Sequence, residues 1–377
     1  MLICGARVAL NASDAVAKSL WIHQGRVSFL RLPQAEDERL DLEGHMLLPG
    51  LINAHDHLEL NLFPRLGRGH YKNASDWARD IYHPEEAPVK QHLALPKSLR
   101  LLWGGIKNLL CGVTTVAHHN ELHPSLFDDD FPVRVIKRFG WAHSLSFSPD
   151  WRERFQKTPS DCPFIIHAAE GTDHSAHSEL QALAQANALC DRTVLVHGVG
   201  IRSIDVPMLR DAKVSIVWCP TSNAFTLRRS LNSSVLNSGI PIALGTDSAM
   251  TAAGDLIDEM EAARPNVSAK RIYEMVTTIP AKIFRLPHGF GRICQDSPAD
   301  LLAVKDNGES PAKTLLAGTP EWVMVNGQTR LSRYEGQTIE VEGRGWCRLG
   351  LDVARLTRET MRHLGPDLRL AGKRIAA

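Results

Sequence analysis

No Cys-x-x-Cys pair occurs in this chain of 377 residues, and its seven cysteines stand far apart, at 4, 111, 162, 190, 219, 294 and 347. Their odd number and wide spacing exclude a disulfide framework and a cysteine-rich zinc site, and fit a reducing cytoplasm. Charge of one sign is lacking too. The formal net charge is +1, so the bulk balance predicts neither nucleic acid nor an anionic membrane as a partner. No stretch approaches the roughly 20 apolar residues that span a bilayer. Met1 to Leu10 lack the basic flank and cleavage pattern of a secretory signal. A P-loop and a dinucleotide-binding glycine fingerprint are both missing, so neither a nucleoside triphosphate nor NAD is expected. Internal repeats and low-complexity tracts are absent as well. A small-molecule substrate remains as the expected partner, with homo-oligomerisation left open.

The chain has ordinary composition, with 44% hydrophobic and 23% charged residues. Its length accommodates a barrel of roughly 250 residues and a smaller second domain. Leu20-Trp21-Ile22 and Arg26 to Leu30 flank a turn at His23-Gln24-Gly25. Near the other end, Leu301 to Val304 and Trp322 to Val325 read as strands, and Asn326-Gly327 is a strong hairpin signal. These strand-rich flanks predict one composite β-sandwich domain from residues 1–46 and 296–345, with a helical tail over 346–377. Between them, over 47–295, apolar strands alternate with helix-compatible stretches. The strands include Met46 to Ala54, Val113 to His118, Phe164 to His167, Val194 to His197, Val214 to Trp218 and Ile240 to Leu244. Continuous apolar strands imply burial on both faces, as in a parallel sheet covered by helices. The expected fold is therefore α/β, a TIM (β/α)8-type barrel. The short interval between Val133–Ile136 and His167 predicts that one helix is reduced or missing. Residues 58–98 are rich in proline and glycine, carry Trp77 and Tyr82, and break the rhythm, as a lid or substrate wall would.

Polar residues cluster where these strands end. His55 and His57 share one face of a strand, since residues i and i+2 point the same way. The pattern is cheap by itself: 17 histidines in 377 residues should give about one His-x-His by chance. Its weight comes from His167 and Glu170, His197, and Asp247, each at or just after another strand end. In a barrel those ends converge on one mouth. The inventory suits metal-assisted hydrolysis. His118, His119 and Trp77 are expected to touch substrate, and Ser222-Asn223 to support or touch it. His143 and His174 are weaker candidates.

The segments Leu48 to His57, His167-Ala168-Ala169-Glu170, Cys219-Pro220-Thr221-Ser222-Asn223 and Leu244 to Ser248 resemble the amidohydrolase superfamily. The similarity is nearest to its deaminase and chlorohydrolase branch, which includes guanine, adenosylhomocysteine and methylthioadenosine deaminases and triazine hydrolases. The late Pro298-Ala299-Asp300-Leu301 segment resembles that family's return into its β-domain. The resemblance implies one divalent ion, zinc or alternatively ferrous iron, held by His55, His57, His167 and Asp247. It implies Glu170, His197 and Asp247 as catalytic residues. Trp141 to Phe147, the candidate fourth strand, contains no lysine to bridge a second ion. The implied reaction is hydrolytic deamination of an amino-substituted nitrogen heterocycle of purine, pterin or triazine type. A cyclic-amide hydrolase or chlorohydrolase is the enzymatic alternative, and a catalytically silent binding barrel the distant one.

Overall fold

The computed structural model describes residues 1–30, 38–333 and 338–377. Eight parallel strands carry the centre of the chain: β1 Leu51–Asp56, β2 Val113–His118, β3 Arg134–Val135, β4 Gly140–Ser144, β5 Phe164–Ala168, β6 Thr193–His197, β7 Ser215–Trp218 and β8 Ile242–Leu244. They pair in sequence order as two sheets, one of β1 to β3 and one of β4 to β8. This is a TIM-barrel-like α/β arrangement, of the expected type, with its ladder interrupted at two places. The seams lie between β3 and β4 and between β8 and β1 among the described residues. Both have a local cause. Strand β3 is two residues long, and only residues 136–139 separate it from β4, too few for a crossover helix. This is the missing helix that the spacing predicts. Strand β8 is three residues long, and its continuation reaches β1 through Thr246 N and Asp247 N, which donate to His55 O at 2.9 and 3.1 Å.

The inward faces of these strands are apolar, and Ile165, Val194, Val196, Val217 and Ala243 share one buried cluster. Burial of such side chains contributes on the order of 25 cal/mol per Å² of apolar surface. Gly245 lets β8 press against β1. A Cβ there would lie 2.6 Å from His55 Cβ and 2.8 Å from Val217 Cγ1. Gly245→Ala should therefore cost about 1–3 kcal/mol in denaturant unfolding, the usual cost of overpacking, and displace His55.

Met46 to Ala54, expected as one strand, is two. His45–Pro49 and Leu51–Asp56 are separated at Gly50. The first segment belongs to a ten-stranded sheet and runs antiparallel to Leu301–Lys305 and parallel to Arg7–Ala9. Leu20–His23 and Arg26–Ser28 lie in a separate four-stranded sheet. Side chains of both sheets, among them Ile3, Leu20, Val27, Leu47, Leu301 and Trp322, share one buried cluster. The tail is only partly helical, which corrects its expected class. Helix Val353–Leu364 is followed by Arg369–Leu370 and Lys373–Ala376, and the latter pairs with Ile339–Val341. Lys373 Nζ also reaches Asp255 at 2.7 Å, a contact from 118 residues away that no local pattern announces. Residues 31–37 and 334–337 of the expected β-domain lie outside the described residues. Among the described residues, no helix is long and apolar enough to cross a membrane.

Candidate metal centre and catalytic site

The C-terminal ends of β1, β5, β6 and β8 bring His55, His57, His167, His197 and Asp247 together. His167 Nε2 lies 3.2 Å from His55 Nε2 and 3.4 Å from His57 Nε2. Asp247 Oδ1 lies 3.6 Å from both His55 Nε2 and His57 Nε2. Donors around one tetrahedral zinc stand roughly 3.3–3.4 Å apart, given bonds of about 2.0–2.1 Å. The four atoms thus fit the corners around one small cation. Two overlapping quartets of donors lie within 4.8 Å of one another: His55, His57, His119 and His167, and His55, His167, His197 and Asp247.

The hydrogen bonds of the other ring nitrogens help to sort these histidines. His167 Nδ1 donates to His143 O at 2.6 Å, which leaves Nε2 as a lone pair. His119 Nε2 donates to Ala142 O at 3.0 Å, so His119 Nδ1 is an acceptor. It faces His55 Nδ1 at 3.2 Å, and His55 therefore donates and presents a lone pair at Nε2. His119 is consequently a prop for His55. Burial also holds His55, His57 and His167 below the ordinary imidazole range, which keeps them neutral, as ligands must be. His119→Phe should weaken metal binding about 10–100-fold, as read by chelator competition, while the fold persists.

Asp56 faces away from the two histidines beside it. Its carboxylate accepts from Lys107 Nζ and Asn108 Nδ2, each at 2.7 Å, and from Asn61 Nδ2 at 2.8 Å. Lys107 Nζ also donates to Thr246 Oγ1 at 2.9 Å. This buried network ties the end of β1 to the segment that carries Asp247. Three residues in and beside the site hold left-handed backbone: Ala169 at φ 52°, His197 at φ 73° and Asp247 at φ 56°. For residues with a Cβ this conformation is strained, and such strain concentrates at functional sites.

On Asp247, Oδ2 accepts from Ser222 Oγ at 2.7 Å and Thr251 Oγ1 at 2.9 Å, and Oδ1 accepts from Ser248 N at 2.7 Å on the side that faces the histidines. Burial acts to raise this carboxyl, but the His55 hydrogen bond and the nearby His197, His55 and His57 outweigh it and hold it well below the usual range. His197 Nδ1 donates to Asn223 Oδ1 at 2.8 Å. Its Nε2 is buried without a hydrogen-bond partner and stands 3.6 Å from Glu170 Oε1. Burial pushes the Glu170 carboxyl up to about 7, opposed by His197 and reinforced by Asp247 and Glu179. Glu170 can therefore be a neutral proton donor near pH 7.

A cavity of about 620 Å³ opens onto this cluster. Its wall includes His57, His167, Glu170, His197 and Asp247, and also Trp77 from the 58–98 segment. His118 and His119 are corrected as substrate contacts: both are fully buried and neither lines the cavity. His118 turns instead to accept from Leu58 N at 3.3 Å. Ser222 and Asn223 stand behind Asp247 and His197 as supports, off the cavity wall. His143 lines the wall, whereas His174 is exposed at the start of helix His174–Gln185 and does not. Sequence reasoning missed Thr251, four residues beyond Asp247, whose hydroxyl reaches back to the carboxylate across the turn at 249–251.

Residues 161–330 match the Amidohydrolase family. The chain is 23% identical to a 5-methylthioadenosine/S-adenosylhomocysteine deaminase of Pyrococcus furiosus, over 91% of this chain and 96% of that protein. The fold is similar to a zinc-bound adenosine deaminase from Xanthomonas campestris, with TM-score 0.74 and 16% identity over 96% of this chain and 97% of the other. It is equally similar to a zinc-complexed atrazine chlorohydrolase from Arthrobacter aurescens, with TM-score 0.74 and 18% identity over 97% and 100%. Family match, relatives and a buried histidine–aspartate cluster suited to one divalent ion agree: residues 161–330 match an amidohydrolase model, and the chain reads as a hydrolase that acts on carbon–nitrogen bonds.

Proposed function

We propose that the protein is a zinc-dependent aminohydrolase that removes ammonia from an amino-substituted nitrogen heterocycle. We assign the ion to His55, His57, His167 and Asp247, and the catalytic roles to Glu170, His197 and Asp247. A divalent ion held there supplies Lewis acidity, which lowers the pKa of water towards neutrality. Asp247, kept ionised, accepts the attacking water's proton. Glu170, kept protonated by burial, delivers its proton to the ring nitrogen beside the attacked carbon. His197, fixed by Asn223, presents its Nε2 lone pair to the attacking water and orients it. Glu170, now ionised, takes the remaining proton of the added water and delivers it to the departing amine, and Asp247 returns the first proton to Glu170 as ammonia leaves. The same assignment reads residues 1–46 and 296–345 as a β-sandwich beside a barrel of residues 47–295.

The observation that carries this reading is Glu170, a buried carboxyl raised to about 7 at the edge of a four-donor metal cage. Hydrolytic amidase chemistry needs the ion, and deamination of a ring also needs an acid for the ring nitrogen. The test is a screen for ammonia release over purines, pterins, triazines and their nucleosides with metal-loaded protein. Ammonia from one of these classes at a turnover above about 1 per second is the expected result. Chloride release from a halogenated ring, or opening of a cyclic amide, with no ammonia from any member, would replace this reading with the corresponding hydrolase.

A further inference from the structure

The relatives in sequence are named for nucleoside substrates, and the cavity lacks the groups that a sugar needs. Its inner end holds the metal cluster, Glu170 and His197. Beyond that, the wall is built from Leu60, Phe63, Trp77, Ile81, Val89 and Met250, most of them one buried apolar cluster. Among the lining residues the only carboxylates are Glu170 and Asp247, both committed to the inner end. The only lysine or arginine is Arg79. Its guanidinium is held by Asp76 at 2.6 Å and its side chain is 74% exposed, so it is turned to solvent.

Several polar groups of the wall are engaged elsewhere, while Ser248 stands beside Asp247 and Tyr82 lies at the exposed rim. Trp77 Nε1 donates to Leu66 O at 3.0 Å, Asn120 Nδ2 to Glu59 Oε1 at 3.0 Å, and Thr251 Oγ1 to Asp247. The buried polar atoms of the wall without a partner are His143 Nδ1 and His197 Nε2, both at the inner end. Both belong to the end of the cavity that holds the candidate ligands and Glu170. A sugar diol in the outer half would give up water for hydrocarbon. Each hydroxyl left unmatched costs a factor of about ten to a hundred in binding. The cavity is nevertheless about 620 Å³, larger than a bare heterocycle needs.

From this we infer that the substrate is a flat amino-azaheterocycle carrying a neutral apolar substituent, alkyl or aryl, where the relatives' substrates carry a sugar. The inference rests on the deaminase reading of the same site. The cavity's outer half buries the substituent, and its inner end reads the ring and its amino group.

The test uses the full-length, metal-loaded protein and matched pairs that share one ring: 9-benzyladenine with adenosine, and 9-benzylguanine with guanosine. Calorimetric binding and ammonia release are measured for every member. The expected result is a benzyl member that binds about 10²-fold tighter than its ribosyl partner. Leu93→Glu, which places a carboxylate on the cavity wall at a half-exposed position, should narrow that ratio several-fold. A ribosyl member as tight as or tighter than its benzyl partner overturns the inference, as does failure of both benzyl members to bind below millimolar concentration. Tight benzyl binding with no ammonia from any member would retire the deaminase reading and leave the apolar-substituent assignment standing.

Discussion

Glu170→Gln should keep a full complement of metal and turn over about 10²–10⁴-fold more slowly, the usual worth of a positioned acid. The glutamine has the same size and cannot transfer a proton. Glu170 stands three residues beyond His167, past the left-handed turn at Ala169, with its carboxyl 3.6 Å from His197 Nε2. It is outside the His55, His57, His167 and Asp247 set, so its loss should leave the cage intact. Its protonation also gives a pH signature. The acid is active when neutral, and burial raises its pKa to about 7. Activity in kcat/KM should therefore decline as pH rises through about 7, and the residual rate of Glu170→Gln should lack that decline. Metal content by plasma emission and ammonia release against pH decide the matter. Loss of the ion would make Glu170 a ligand, and an unchanged rate would move the proton transfer to another group.

The second large effect is expected from His167→Ala: metal content falling below about one tenth of an ion per chain, and turnover falling to background. His167 Nε2 is the shared neighbour of His55 Nε2 and His57 Nε2, at 3.2 and 3.4 Å. Its orientation is fixed by the 2.6 Å bond from Nδ1 to His143 O. Removing the ring deletes one corner of the cage, and the backbone bonds of β5 to β4 and β6 remain. Far-ultraviolet circular dichroism should thus stay unchanged. His197→Asn is the control: it should slow turnover and keep the ion. An alanine variant that retains both metal and rate would refute the ligand assignment.

Strand alternation made His55 and His57 legible, because i and i+2 share a face whatever the rest of the chain does. Strand-terminal placement made His167, His197 and Asp247 legible, because parallel strands in sequence order bring those ends to one side. The adjacent histidines at the end of β2 are hard to place from sequence for a related reason. His118 and His119 point to opposite faces, and the sequence does not say which face meets a cavity. His119 N extends the pairing by donating to Asp56 O at 2.9 Å, and this turns the ring of His119 inward against His55. The Lys107–Asp56 pair was invisible too, since it joins groups 51 positions apart and depends on the helix Lys97–Leu110 packing behind β1. The strands at the C-terminus escaped notice because Lys373–Ala376 is short and polar, and non-local contacts hold it.

The strand His45–Pro49 lies between a neighbour made early, Arg7–Ala9, and one made late, Leu301–Lys305. During synthesis its second edge stays uncovered until roughly 250 more residues have emerged, which takes about 12–50 s at 5–20 residues per second. For that interval Met46, Leu47 and Leu48 present an apolar strand with one unpaired edge to solvent. Such an edge recruits foreign strands. Ribosomes stalled before residue 300 should accumulate aggregation-prone or chaperone-bound chains, and released full-length chains should not.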